Sequence, residues 1–260
     1  YIDKQGQFSI NPQFDNADDF SQGLARVRIG DVRTGKEGYI DKQGKFSINP
    51  QFDYAESFSE GLAAVYFGKS ITSKSGYIDK QGQLVVNPQF DKAGDFSEGL
   101  AVVEIAGKRG YIDKQGRLVV NLQLDLLVTY PFHGGLAKIL IGDLDTGKWG
   151  YIDTQGKFAI NPQFDLAEDF SEGLARVRIG DISAGKWGYI DKQGKFVINP
   201  QFDDAHDFSE GLASVEIAGK WGCIDKQGKF VIKPQFSAAG NFSEGLADVS
   251  IAGKWGYISR

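Results

Sequence analysis

Residues 39–44 read Tyr-Ile-Asp-Lys-Gln-Gly, and the same phrase begins at Tyr1, Tyr77, Tyr111 and Tyr189. It recurs with Thr154 in place of Lys at Tyr151, and with Cys223 in place of Tyr in a seventh copy. A truncated eighth copy, Tyr257-Ile258-Ser259-Arg260, closes the chain. Successive starts lie 38, 38, 34, 40, 38, 34 and 34 residues apart. A period of this size sustained over the chain marks a tandem-repeat architecture and is read as one repeat domain, 1–260, with units starting near 1, 39, 77, 111, 151, 189 and 223.

Outward from that phrase, one unit resolves into four extended pieces. In residues 203–234 the turn signals are Ser209-Glu210-Gly211, Gly219-Lys220 and Lys226-Gln227-Gly228. They leave strands at 205–208, 212–218, 221–225 and 229–232. The last turn, with Gly in third place, suits a type I turn followed by a left-handed bulge position. Pro234 cannot donate to a ladder and is expected to end the last strand. In residues 24–29, Leu-Ala-Arg-Val-Arg-Ile, apolar and basic residues alternate with period two, which predicts a strand with one buried face. The Phe-x-Ile piece carries a small or apolar x (Ser9, Ser47, Val85, Val119, Ala159, Val197, Val231) and is expected to pack on both faces.

The fold class is therefore all-β. A four-stranded meander of this length has too little core to stand alone, so neighbouring copies must stack. A seven-bladed β-propeller is the leading arrangement, with the last copy's strands completing the blade begun at Tyr1. An open β-solenoid or superhelix is the alternative, because Tyr257-Ile258 duplicates Tyr1-Ile2. Four-residue insertions at 31–34, 69–72, 143–146 and 181–184 collect at one turn, which places them on a common rim.

Gly-Lys-Trp-Gly-Tyr-Ile-Asp (147–153, 185–191 and, with Cys223, 219–225), Lys-Phe-Val-Ile-Asn-Pro-Gln-Phe-Asp (195–203) and Phe-Ser-Glu-Gly-Leu-Ala (208–213) together resemble the bacterial WG-containing repeat family, also called KWG repeats. Glu37, Ser75 and Arg109 depart from it in the Trp column, Leu122 at the Pro, and Ser237 at the Asp after Pro-Gln-Phe. The resemblance implies an accessory binding or scaffolding module and carries no catalytic motif.

Composition narrows the function classes. The net charge of −5 is spread through the repeats, with no basic face to hold phosphates, so nucleic acid is not an expected partner. No apolar run reaches the ~20 residues that span a bilayer as a helix. Cys223 stands in the Tyr column and reads as a core substitution. The chain lacks Met and starts within a repeat phrase, so it is read as a fragment or processed piece whose compartment stays open.

The search for chemistry is short. His133 and His206 occupy non-equivalent positions with no metal-ligand spacing, and His206 falls in a variable column expected to be exposed. The seven Tyr-Ile-Asp aspartates and the Ser-Glu-Gly glutamates sit in like environments, whereas a catalytic carboxylate pair needs unlike ones. Their expected role is structural, with Asp accepting from backbone N–H groups two residues on. Residues 143–147, Asp-Leu-Asp-Thr-Gly, lack the further ligands of a calcium loop. No metal or cofactor is expected.

Two regions remain as binding candidates. Trp149, Trp187, Trp221 and Trp255 form one column in which Glu37, Ser75 and Arg109 also occur. Polar residues there imply partial solvent access, with inter-repeat packing weighed against ligand stacking. The fourth copy replaces the usual phrase with residues 122–133, where Leu126, Leu127, Tyr130 and His133 are candidates for a partner contact or a larger local core. The resulting expectation is a monomeric, non-catalytic scaffold for a protein or polymer. A multivalent carbohydrate-binding module is the alternative, and a propeller-type hydrolase comes third.

Overall fold

The computed structural model describes residues 1–68, 73–122, 126–181 and 183–260, with residues 126 and 127 described by backbone only. The insertion at 69–72 and Ile182 of the insertion at 181–184 lie outside the described residues. The chain forms two compact units, Tyr1–Gln123 and Leu124–Arg260. No helix occurs among the described residues.

The first unit holds a short hairpin closed by the Ile2↔Phe8 bridge and three four-stranded sheets. The second holds three four-stranded sheets and one of three strands. Each sheet is an antiparallel meander in sequence order, a propeller-like blade whose first two strands come from one copy of the repeat and the following strand or strands chiefly from the next phrase. In the sheet read most closely above, the strands are Asp204–Ala205, Leu212–Ile217, Lys220–Asp225 and Phe230–Phe236. The first is shorter than the alternation predicted. After Ala205 the chain turns toward Phe208, whose ring is buried.

The first turn is one residue shorter than expected, and the second keeps its expected length but lies one residue earlier, at Ala218-Gly219. Glu210 and Gly211 both have positive φ, 53° and 79°, as do Ala218 and Gly219, 50° and 75°. Such two-residue turns match the twist of the strands they join. The Asp-Lys-Gln-Gly turn is as predicted. Asp41 Oδ1 accepts from the Gln43 and Lys45 N–H groups at 2.9 and 3.0 Å, and Gly44 donates to the Asp41 carbonyl at φ 79°.

Pro234 does not end its strand. The strand continues to Phe236 and bulges, because Trp221 pairs with Phe236 while Cys223 pairs with Ile232. Four residues therefore pass two, and the Pro nitrogen sits inside the bulge where no ladder bond is needed. That bulge explains the Gly after Trp. A Cβ on Gly38, Gly76, Gly110, Gly150, Gly188 or Gly222 would lie 2.4–2.7 Å from a carbonyl oxygen of the facing strand.

The same fourth strand is not packed on both faces. Its Ile or Val is buried (Ile48, Val86, Ile160, Ile198), while Val85, Val119, Val197 and Val231 are exposed. Along Phe196–Phe202 only Ile198 and Phe202 are buried, so one face of the strand packs and the other meets solvent.

The last sheet departs from the plan of blade sharing. Its third strand, Lys254–Ser259, comes from the final copy itself and pairs only with Leu246–Ile251. At Gly256 an added Cβ would meet nothing within 4 Å.

Candidate functional site

The repeated polar residues join consecutive blades. Ser21, Ser59, Ser171 and Ser209 each donate through Oγ to a Phe carbonyl of the following blade (Phe58, Phe96, Phe208, Phe242) at 2.7 Å. The next residue's side chain accepts from a Gly N–H of that blade: Gln22 from Gly61, Glu60 from Gly99, Glu172 from Gly211, Glu210 from Gly245. Lys80, Lys114 and Lys226 return a hydrogen bond to the carbonyls of Gln22, Glu60 and Glu172. Burial works against the Glu172 carboxyl, but Lys226 and the Gly211 N–H outweigh it and hold the group below its usual range.

The Tyr hydroxyls belong to the same lattice. Tyr39, Tyr77, Tyr151 and Tyr189 are buried and donate to the carbonyls of Glu56, Gly94, Glu168 and His206. Burial drives all four phenols far above their ordinary range. Where Cys223 replaces Tyr, Ser214 Oγ donates to Gly240 O at 2.7 Å, so the equivalent carbonyl is still satisfied. The Asp after Pro-Gln-Phe is spent as well. Asp165 takes Lys148 on one oxygen and the Gly180 N–H on the other, and Asp53, Asp91 and Asp203 repeat the pattern.

The tryptophan column is interior for most of its length, which corrects the expected solvent access. Trp187 and Trp221 are 7% and 9% exposed, and Glu37 and Ser75 are buried outright. The cross-strand partner makes the polar residues tolerable there. Arg28 faces Glu37 and donates from Nε and Nη2 to Oε1 at 3.0 and 2.7 Å, while Glu37 Oε2 also accepts from the Ala55 N–H. Ser75 donates to the Phe90 carbonyl, and Arg109 faces Glu104. A buried charge is stable when paired and fully hydrogen-bonded, so Trp and the Arg–Glu pair are alternative fillings of one space. Trp149 is half-buried against Tyr130, with ring centroids 5.8 Å apart. Trp255 alone is open, at 65% exposure.

Within the second unit these rings alternate with charges across three blades. Lys138, buried, lies 4.5 Å above the Tyr130 ring and pairs with Glu168 at 2.7 Å and Asp169 at 3.8 Å. Arg176 covers Trp187 at 5.0 Å and pairs with Asp207 at 2.9 Å. His206 stacks on Trp221 at 4.8 Å and, against the expected exposure, is half-buried with Nδ1 buried and unpartnered. Burial, then the Arg176 charge, pull its pKa below the usual imidazole value. The carboxylates Glu168, Asp169 and Asp207 stay about two-fifths exposed above this layer.

The structure thus brings Tyr130, Trp149, Trp187 and Trp221 into one strip and leaves Trp255 apart. His133 is exposed on the turn before Leu136, in the place of a joining serine. Leu126 and Leu127 form part of the strand Leu126–Thr129, and their side chains lie outside the described residues. The carboxylates of the strip were missed in the sequence because their column varies. The signal available was that Glu168, Asp169 and Asp207 follow the Pro-Gln-Phe-Asp phrase without belonging to its turn. As for a calcium site, Asp143 accepts from the N–H groups of Asp145 and Thr146 within its own turn. No cluster of three or more metal-ligating side chains occurs among the described residues. No helix of the described residues is long and apolar enough to cross a membrane.

Known structures align with this chain at low identity. A eukaryotic initiation factor aligns with a TM-score of 0.58 and 14% identity, over 96% of this chain and 78% of that one. The β-propeller domain of the Trilobed protease from Pyrococcus furiosus, described as having an open velcro topology, aligns with a TM-score of 0.48 and 8% identity, over 94% and 95%. A prolyl endopeptidase aligns at 0.46 and 9%, over 82% of this chain and 40% of that one. No curated protein matches. The profile described as "WG containing repeat" matches residues 1–32, 38–69, 76–108, 110–144, 149–181, 187–221 and 221–255, each after the first spanning parts of two successive meanders, and the chain belongs to that repeat family.

Proposed function

We propose that the chain is a non-catalytic scaffold that binds a protein through the strip formed by its fourth, fifth and sixth blades. The observation that carries this reading is how the repeated polar groups are used. The Asp, Ser, Glu, Lys and Tyr side chains that an enzyme would have to recruit are hydrogen-bonded within or between repeats. Glu168, Asp169 and Asp207, by contrast, reach solvent over a rigid layer of Tyr130, Trp149, Arg176 and Trp187. Carboxylates held by buried cations are preorganised to receive Lys or Arg side chains, at little ordering cost.

The test is a pull-down with the 260-residue chain against its Glu168→Gln, Asp169→Asn, Asp207→Asn variant, with circular dichroism to confirm folding. Loss of a partner in the folded variant supports the scaffold. Retention of every partner argues against the strip, and turnover in a broad hydrolase screen would overturn the non-catalytic reading. A carbohydrate-binding role has one observation in its favour, the exposed Trp255. Saturable quenching by a glycan panel, lost in Trp255→Ala, is its test.

A further inference from the structure

In the second unit, aspartates of one repeat column take a cation from the blade before. Asp207 pairs with Arg176 at 2.9 Å and Asp169 with Lys138 at 3.8 Å, and each cation stands 31 residues before its aspartate. Asp95 occupies the same column in the first unit, and the residue 31 before it is Ala64. A methyl side chain cannot replace the ammonium or the guanidinium. Among the described residues the Asp95 carboxylate has no ion pair and no hydrogen bond, and burial alone raises it above the usual carboxylate range.

The other duty of the missing cation is discharged. Arg176 Nη1 donates to the Ala205 carbonyl, and at the equivalent Ala93 carbonyl the Tyr66 hydroxyl donates instead, at 2.8 Å. The backbone is satisfied and the carboxylate is left. A second carboxyl, Glu56, is half-buried beside it. Burial raises Glu56 above its usual range, the Asp95 charge adds to this, and a hydrogen bond from Tyr54 offsets only part. Arg26 does not close the gap, because it pairs with Asp18 and Glu37. Tyr54 is 40% exposed and meets Tyr66 edge to face, with centroids 5.5 Å apart. Two under-compensated carboxylates thus share one place with an open aromatic ring.

The second unit shows what fills such a place. There Lys138 lies over Tyr130 and pairs with Glu168 and Asp169, so one ring and two carboxylates hold one cation. We propose that Glu56 and Asp95, beside Tyr54, bind the ammonium or guanidinium group of a Lys or Arg side chain on a basic peptide, in the place that Lys138 fills from within. Charge-assisted hydrogen bonds to both carboxylates and the ring face supply the recognition.

The test uses the 260-residue chain carrying Glu168→Gln, Asp169→Asn and Asp207→Asn, so the strip and this site fail separately. Anisotropy of a dye-labelled tetra-arginine peptide is followed at about 0.15 M salt, where exposed charges beyond ~8 Å are screened. Saturable binding is expected, weakened about tenfold or more by Asp95→Asn and by Ala64→Lys, which supplies the cation internally. Asp145→Asn removes the same charge from an exposed turn of the second unit and should leave binding unchanged. Circular dichroism checks folding, and should Ala64→Lys not fold, the exposed Asp95 decides alone. Absence of saturable binding, binding that survives Asp95→Asn, or equal weakening by Asp145→Asn would each overturn the proposal.

Discussion

Trp221-Gly222 and Trp255-Gly256 are the same dipeptide at the same point of the same repeat, yet one is sealed and the other open. Trp221 is 9% exposed, flanked by His206 and paired with Phe236, and Gly222 is pressed by the bulge at Pro234. Trp255 is 65% exposed, and Gly256 has open space around it. The residues are identical, so the difference comes from their cover: Trp221 packs under Phe236 of the fourth strand and against Ala239 and Val249 of the next blade, and Gly222 faces that fourth strand. The repeat phrase acquires its structural role only when a neighbouring strand covers it, and its energetic value follows the cover and not the letters.

The comparison can be broken most forcefully at the indole. Trp221→Ala is expected to cost about 3–5 kcal/mol, as for a large buried aromatic, whereas Trp255→Ala should stay within about 0.5 kcal/mol. Urea titration of both variants measures this, and equal losses would show that cover is not the controlling variable.

A smaller effect is expected where the joints between blades differ. Between the fifth and sixth blades Ser171, Glu172 and Lys226 contribute three hydrogen-bonded links. Between the fourth and fifth, His133 and Gly134 stand where Ser and Glu would be, and Lys192 reaches the Gly134 carbonyl. Gly134 has φ 62°, close to the 50° of Glu172, and a Cβ there meets only the mobile end of Lys192 at 3.0 Å. Gly134→Glu places an L side chain at positive φ, which offsets the link it adds, so it should change the stability of the second unit by no more than about 0.5 kcal/mol, whereas Glu172→Ala should destabilise it by about 1 kcal/mol. Thermal melting separates the two magnitudes.

The smallest effect concerns pH. His206 is held neutral by burial and by Arg176, while Asp204, Asp207 and Asp248 partly offset them. A histidine whose folded pKa is depressed contributes stability above its unfolded value, near 6.5, and loses it as the pH falls toward the folded value. Stability of the parent should therefore decline below about pH 6.5, and the slope should flatten in His206→Gln. Trp221 emission reports the same titration, since the imidazole lies on that ring.

Much of this was legible in the sequence. The period fixes the number of blades, the Asp-Lys-Gln-Gly phrase announces its turn, and residues 24–29 show their buried face. Pro234 misled because a proline normally closes a strand, and a bulge that absorbs it leaves no pattern apart from the Gly opposite. Glu37 and Ser75 misled for a related reason. A polar residue in an apolar column suggests solvent, and only the register shows that Arg28 meets Glu37. The strip above Lys138 and Arg176 was hidden because it is assembled from three repeats at positions where the copies disagree.

Cover by the fourth strand is the centre of this account, and the paired glycines test it most directly. Gly222→Ala and Gly256→Ala make the same chemical change at equivalent points, one 2.5 Å from the Ile232 carbonyl and one in open space. Calorimetric melting of the two variants should show a drop of several degrees for Gly222→Ala and no loss for Gly256→Ala. Equal drops in both, or an unchanged Gly222→Ala, would contradict it.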